Sequence, residues 1–173
     1  DAIHAGRNYA AGANSLLVAA ANDASYPGIA RATSLSLLAS PLDSAAVNAI
    51  RDGLINADPL IRLGALRALQ GVSNQLRMVG VRLLEDRVRS VRVEAANLLS
   101  PVRNSLPQNA RAAFNVAEEE YIEAQLAIAE RPEAHSNLGA IYVARGDTER
   151  AEASYLKALN MEPGAVMARV NLA

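Results

Sequence analysis

Side chains able to make or break bonds are sparse in this 173-residue sequence, and their spacing does not bring them together. His4 and His135 are the only two histidines, and neither belongs to a His/Glu pair at the short spacing that presents metal ligands. His135 is therefore expected to pack rather than react. Glu118, Glu119, Glu120 and Glu123 could act as paired carboxylates or a cation site. On one helix, however, such neighbours point in different directions, which fits a solvated face. Ser and Thr residues have no nearby His to activate them. The ten glycines are dispersed and form no phosphate-cradling loop. No cysteine is present, which excludes disulfides, thiolate metal sites and covalent haem attachment within these residues. The expectation is a non-catalytic chain that carries no cofactor and no metal.

Charge is balanced overall, at a formal −1, but unevenly spread. Residues 1–50 hold two basic and three acidic side chains, residues 51–111 ten and five, and residues 112–173 five and ten. Arg51, Arg67, Arg77, Arg82, Arg87 and Arg89 read first as solvated helix faces. The runner-up is a basic helical solenoid that tracks nucleic-acid phosphates. Against it, there is no Trp, and the single Phe, Phe114, lies outside the basic segment, so stacking platforms are missing there. No apolar run reaches the roughly 18 residues of a membrane span.

The elements that would position these residues are helices. About half of the chain is hydrophobic, aromatic residues are few, and Ala and Leu dominate, which favours close helix contacts over sheet. The first two thirds repeats at about 30 residues, in IARATSLSLL (29–38), IRLGALRAL (61–69) and VRVEAANLL (91–99). Arg31, Arg62 and Arg92 occupy one place in that pattern. The preceding helices read as 14–21, 44–56 and 75–84. Asp58 before Pro59 is a helix start, because Asp caps free amides and Pro suits the first helical position. Tyr26 and Pro27 open the equivalent helix one unit earlier. The prolines and turn formers of SPVRNSLP (100–107) interrupt the period and mark a boundary. Beyond it, one long amphipathic helix is expected over 108–130.

Residues 132–165 carry Leu138, Gly139, Tyr142, Ala151, Tyr155, Ala158 and Pro163 at offsets that resemble a 34-residue tetratricopeptide repeat, a pair of antiparallel helices. Gly139 and Ala151 let the helices approach, the larger residues fill the seam, and Pro163 stops the second helix. Ala117, Tyr121 and Ala124 stand 34 residues before Ala151, Tyr155 and Ala158, as the second helix of a degenerate earlier unit would. A third unit starts after Pro163, where Asn171 and Leu172 match Asn137 and Leu138. One such unit cannot bury its apolar face alone, so stacked neighbours are implied. In tetratricopeptide proteins the first helix of each unit lines a groove, and an Asn at its sixth position hydrogen-bonds an extended peptide. The resemblance therefore assigns Asn137 and Asn171 to peptide binding, with Glu133, Ser136, Ala140, Val143 and Ala144 along the same line. A carboxamide both donates and accepts, as a peptide backbone requires. The Lys and Arg clamp with which chaperone-binding relatives grip a C-terminal carboxylate is absent, which disfavours a carboxylate-terminal ligand.

The first array resembles HEAT repeats, in which an Asp at the turn and an Arg early in the second helix form a ladder between units. Arg31, Arg62, Arg92 and Asp58 are assigned to such a ladder. Asp86 sits two residues early relative to Arg92, and Asp23 eight residues before Arg31. The fold class expected is an all-α superhelix, HEAT-like over 1–105 and tetratricopeptide-like over 106–173, with one complete unit. Together with the phrases HAGR and IARATSLSLL, the succession resembles the C-terminal region of tetratricopeptide-containing multihaem cytochromes c. That resemblance implies an accessory interaction module joined to a haem-bearing segment, periplasmic in that setting and cytoplasmic otherwise. The opening at Asp1 and the close at Ala173, just as a helix has begun, suggest part of a longer polypeptide with exposed apolar surface at its end. The overall expectation is a protein-interaction scaffold with a protein or peptide partner.

Overall fold

A computed structural model describes residues 1–172, and among them every regular element is helical, with eleven α-helices, three 3-10 stretches and no strand. The chain divides into two compact units, Asp1–Leu99 and Ser100–Ala173.

In the first unit the helices are α1 (Ala2–Arg7), α2 (Ala13–Asn22), α3 (Gly28–Ser36), α4 (Ser44–Leu54), α5 (Pro59–Ala68), α6 (Asn74–Arg77) and α7 (Arg89–Leu99), with a 3-10 stretch at Met78–Glu85. Their starts follow from local chemistry. Asp43 Oδ1 accepts from Ala46 N at 2.7 Å, and Asp58 Oδ1 accepts from Leu60 N at 2.9 Å with Pro59 in the first turn. Helix α2 packs on α3 and α4, α3 packs on α5, and α5 packs on α7. Gly64 makes the α3–α5 approach possible, since a Cβ there would lie 2.2 Å from the backbone oxygen of Ala32. Leu17, Leu35, Ile50, Leu66, Leu69, Val91, Leu98 and Leu99 form the buried core.

Two expectations change here. The helix expected over 75–84 is instead the four-residue α6 followed by 3-10 backbone. Val79, Gly80 and Val81 are weak helix formers, and Gly80 is buried where a Cβ would come within 2.8 Å of Leu98 Cδ2. Helix α1, capped by Asp1 through Ile3 N at 3.0 Å, is too short to show a period in the sequence.

The second unit holds 3-10 stretches at Ser100–Ser105 and Gln108–Ala110, then α8 (Arg111–Leu126), α9 (Pro132–Arg145), α10 (Thr148–Met161) and α11 (Val166–Leu172). The helix expected over 108–130 is therefore shorter at both ends. Pro132 forces extended backbone on Arg131 (φ −105°, ψ 131°), and His135 Nε2 lies 2.9 Å from Ala129 O, which holds the intervening turn. Helices α9 and α10 form a hairpin. Gly146 closes α9 in the left-handed region at φ 76°, Asp147 N donates to Tyr142 O at 2.9 Å, and Asp147 Oδ1 then caps α10 through Arg150 N at 3.1 Å. Ala151, Tyr155, Ala158 and Ala168 are buried together, which seats α11 on α10. Among the described residues, no helix is long and apolar enough to cross a membrane.

Candidate functional site

Helix α9 presents Glu133, Ser136, Asn137 and Ala140 on one face, because these positions fall at i, i+3, i+4 and i+7. Helix α11 and the link before it supply Glu162, Ala165, Val166, Met167 and Asn171. With Pro132 these residues line a groove of about 310 Å³. Five of the seven residues assigned to peptide binding, Glu133, Ser136, Asn137, Ala140 and Asn171, thus share one cavity. The other two do not: Val143 is 57 % exposed and Ala144 half-buried, and both lie a turn further along α9, outside the cavity lining. The lining also includes Pro132, Val166 and Met167, which the 34-residue offset signals by relating Val166 to Pro132 and Met167 to Glu133. Glu162 and Ala165 sit in the interhelical link, where no periodicity reaches.

The two carboxamides are held in place. Asn137 Nδ2 donates to Gln125 Oε1 at 2.9 Å, and Asn171 Nδ2 donates to the Tyr155 hydroxyl at 3.1 Å. Burial pushes the Tyr155 phenol above its usual range, partly countered by the Asn171 bond, so at neutral pH it is a protonated hydroxyl. Its ring packs against Gly139, where a Cβ would meet Cε1 at 2.4 Å. Gly139 thus fixes Tyr155, and Tyr155 fixes Asn171. Ser136 Oγ donates to Pro132 O at 3.3 Å within the same wall.

The three arginines assigned to the ladder share one device. Arg31 Nε donates to Ala21 O at 2.8 Å, Arg62 Nη1 to Asn56 O at 2.7 Å and to Ala57 O at 3.0 Å, and Arg92 Nη1 to Asp86 O at 2.7 Å. Each guanidinium satisfies carbonyls at or just after the end of the helix preceding its own. The carboxylate that meets Arg62 is Asp86 from the following helix pair, not Asp58, whose side chain is engaged in capping α5. Arg62 Nη2 donates to Asp86 Oδ1 at 2.9 Å, while Nε lies 2.8 Å from Oδ2 without hydrogen-bond alignment, a Coulombic contact between two buried groups. Burial alone would raise the Asp86 carboxyl, but the Arg62 hydrogen bond, the Val88 N–H and the nearby guanidinium charges hold it below its ordinary value.

The acidic run on α8 is not uniformly a solvated face. Glu118 is 1 % exposed, with Arg145 Nε and Nη2 both 2.8 Å from its Oε2 and Arg103 Nη2 at 3.6 Å. Arg145 Nη2 also donates to Glu119 Oε1 at 2.5 Å. Burial works against the Arg145 charge and is outweighed by these carboxylates, so its affinity for the proton rises. In the basic middle, Arg77 is occupied by the carbonyls of Gln70, Val72 and Leu98, and Arg67 by Glu94. Among the described residues no group of three or more His, Asp or Glu side chains is arranged to hold a metal ion. Neither a protein-family model, nor a curated protein, nor a solved structure matches the chain.

Proposed function

We propose that this chain is a non-catalytic interaction scaffold whose α9–α11 groove takes an extended peptide segment of a protein partner. The convergence of Glu133, Ser136, Asn137, Ala140 and Asn171 on one cavity carries the proposal. The pairing of Asn137 through Nδ2 leaves its Oδ1 to accept from a ligand amide, and the small side chains of Ala140 and Ala165 leave room for a backbone. The same proposal reads the helix pairs as a superhelical succession, HEAT-like over 1–105 and tetratricopeptide-like over 106–173. Supporting it are the packing of α3 on α5 and α5 on α7, and the α9–α10 hairpin closed by Gly146. As the accessory region of a multihaem cytochrome, the setting suggested by the phrases HAGR and IARATSLSLL, it would position a partner protein and leave electron transfer to another segment.

Panning a displayed library of random linear peptides against the whole chain tests this. Peptides should enrich, and Asn137→Ala should weaken the selected ones by roughly threefold to tenfold, the scale of one net hydrogen bond. No enrichment, or affinities indifferent to Asn137→Ala, would refute groove binding.

A further inference from the structure

We infer that the segment taken by the α9–α11 groove is cationic, with Lys or Arg beside small apolar residues; this rests on the peptide-binding function proposed above. The groove lining contains two carboxylates, Glu133 and Glu162, and no basic side chain. Glu133 has Arg131 at 3.9 Å, but the two side chains are 69 % and 64 % exposed, a screened contact that an incoming cation displaces at little cost. Glu162 stands exposed at the C-cap of α10, beyond the last turn where a helix already concentrates negative potential. The basic residue of α11, Arg169, is absent from the lining and donates to the backbone oxygen of Pro163. Residues 112–173 carry ten acidic against five basic side chains, so the wider field has the same sign.

The apolar part of the groove fixes the rest of the ligand. Val166 and Met167 are 67 % and 65 % exposed and stand beside Ala140 and Ala165, a surface suited to short aliphatic side chains flanking the cation. Asn137 and Asn171 read the backbone and are indifferent to charge, whereas the two glutamates discriminate by sign. Acidic segments are repelled, neutral ones are tolerated and basic ones are preferred. Since both carboxylates are exposed, selectivity is modest and falls with salt.

The test uses the whole chain and three pools of fluorescein-labelled, end-capped random octapeptides, identical except that two positions are Lys/Arg, Gln or Glu. Fluorescence polarisation at low salt should show the cationic pool binding about fivefold tighter than the Gln pool and the Glu pool weakest. The advantage should shrink at physiological ionic strength. In E133Q/E162Q, with helicity checked by circular dichroism, it should vanish, while N137A should weaken the cationic and Gln pools alike. Equal binding of the cationic and Gln pools, both weakened by N137A, would overturn cation selectivity and leave peptide binding standing. A cationic preference that persists in E133Q/E162Q would overturn it too. No binding by any pool, or binding insensitive to N137A, would overturn peptide binding itself and this inference with it.

Discussion

Replacing Gly139 with alanine sets two effects of a helical glycine against each other. In a helix interior alanine is favoured over glycine by about 1 kcal/mol. Opposing this, the new Cβ would lie 2.4 Å from Cε1, 2.6 Å from Cδ1 and 2.7 Å from Cζ of Tyr155, well inside the roughly 3.5–4.0 Å of a comfortable carbon contact. The tyrosine is 2 % exposed and its hydroxyl holds Asn171, so the ring cannot swing aside without losing burial and tether. Overpacking typically costs about 1–3 kcal/mol, and a clash with three atoms of a caged ring belongs at the upper end. The net expectation is destabilisation by about 1–2 kcal/mol, or a Tm lowered by roughly 5–15 °C for a unit of this size. Thermal unfolding of the whole chain, followed by far-UV and tyrosine near-UV circular dichroism, reads it directly. Gly164→Ala is the control, because nothing lies within 4 Å of a Cβ there, and its Tm should stay level or rise slightly. A Gly139→Ala protein as stable as the parent, or more stable, would refute the close α9–α10 approach.

Further outcomes follow from the ion pairs and caps. Asp86→Asn should destabilise the protein near neutrality, and pH reveals the cause. A carboxyl held below its unfolded value of 3.8 stabilises fully above that value and loses its contribution as pH falls through the folded value, so the Tm gap between parent and variant should be constant down to about pH 5 and narrow below 3.8. A gap unchanged at pH 3 would exclude the charge of Asp86 as its origin. Arg145→Ala leaves Glu118 buried without its main partner and should cost about 3 kcal/mol in urea unfolding; Arg145→Lys should recover only part of it, since a single ammonium cannot reproduce the fork that spans Glu118 and Glu119. Asp43→Ala should cost about 1 kcal/mol through loss of the Ala46 amide bond, and a value near zero would remove Asp43 as the cap of α4.

The features legible in the sequence are those that local chemistry or a fixed period dictates. The helical class follows from an Ala- and Leu-rich composition. The start of α5 at Asp58 and Pro59 follows from capping, and the equivalent positions of Asn137 on α9 and Asn171 on α11 from a 34-residue offset. What escaped depends on contacts between units. Asp86 meets Arg62 because the next helix pair brings it there, and its position two residues out of phase with the period hid that pairing. Glu118 is indistinguishable in sequence from Glu119 and Glu120 because its partner, Arg145, is 27 residues away. The 3-10 backbone at Met78–Glu85 falls where Val79, Gly80 and Val81, all weak helix formers, interrupt an amphipathic pattern that otherwise fits an α-helix.

The most direct measurement of peptide capture is an amide NMR titration of the isotope-labelled whole chain with the tightest octapeptide from the panning. Shifts should concentrate on residues 132–140 and 162–171, including the side-chain amides of Asn137 and Asn171. Shifts centred on residues 1–99, or on the face of α8 that carries Val116 and Glu119, would contradict binding in the α9–α11 groove.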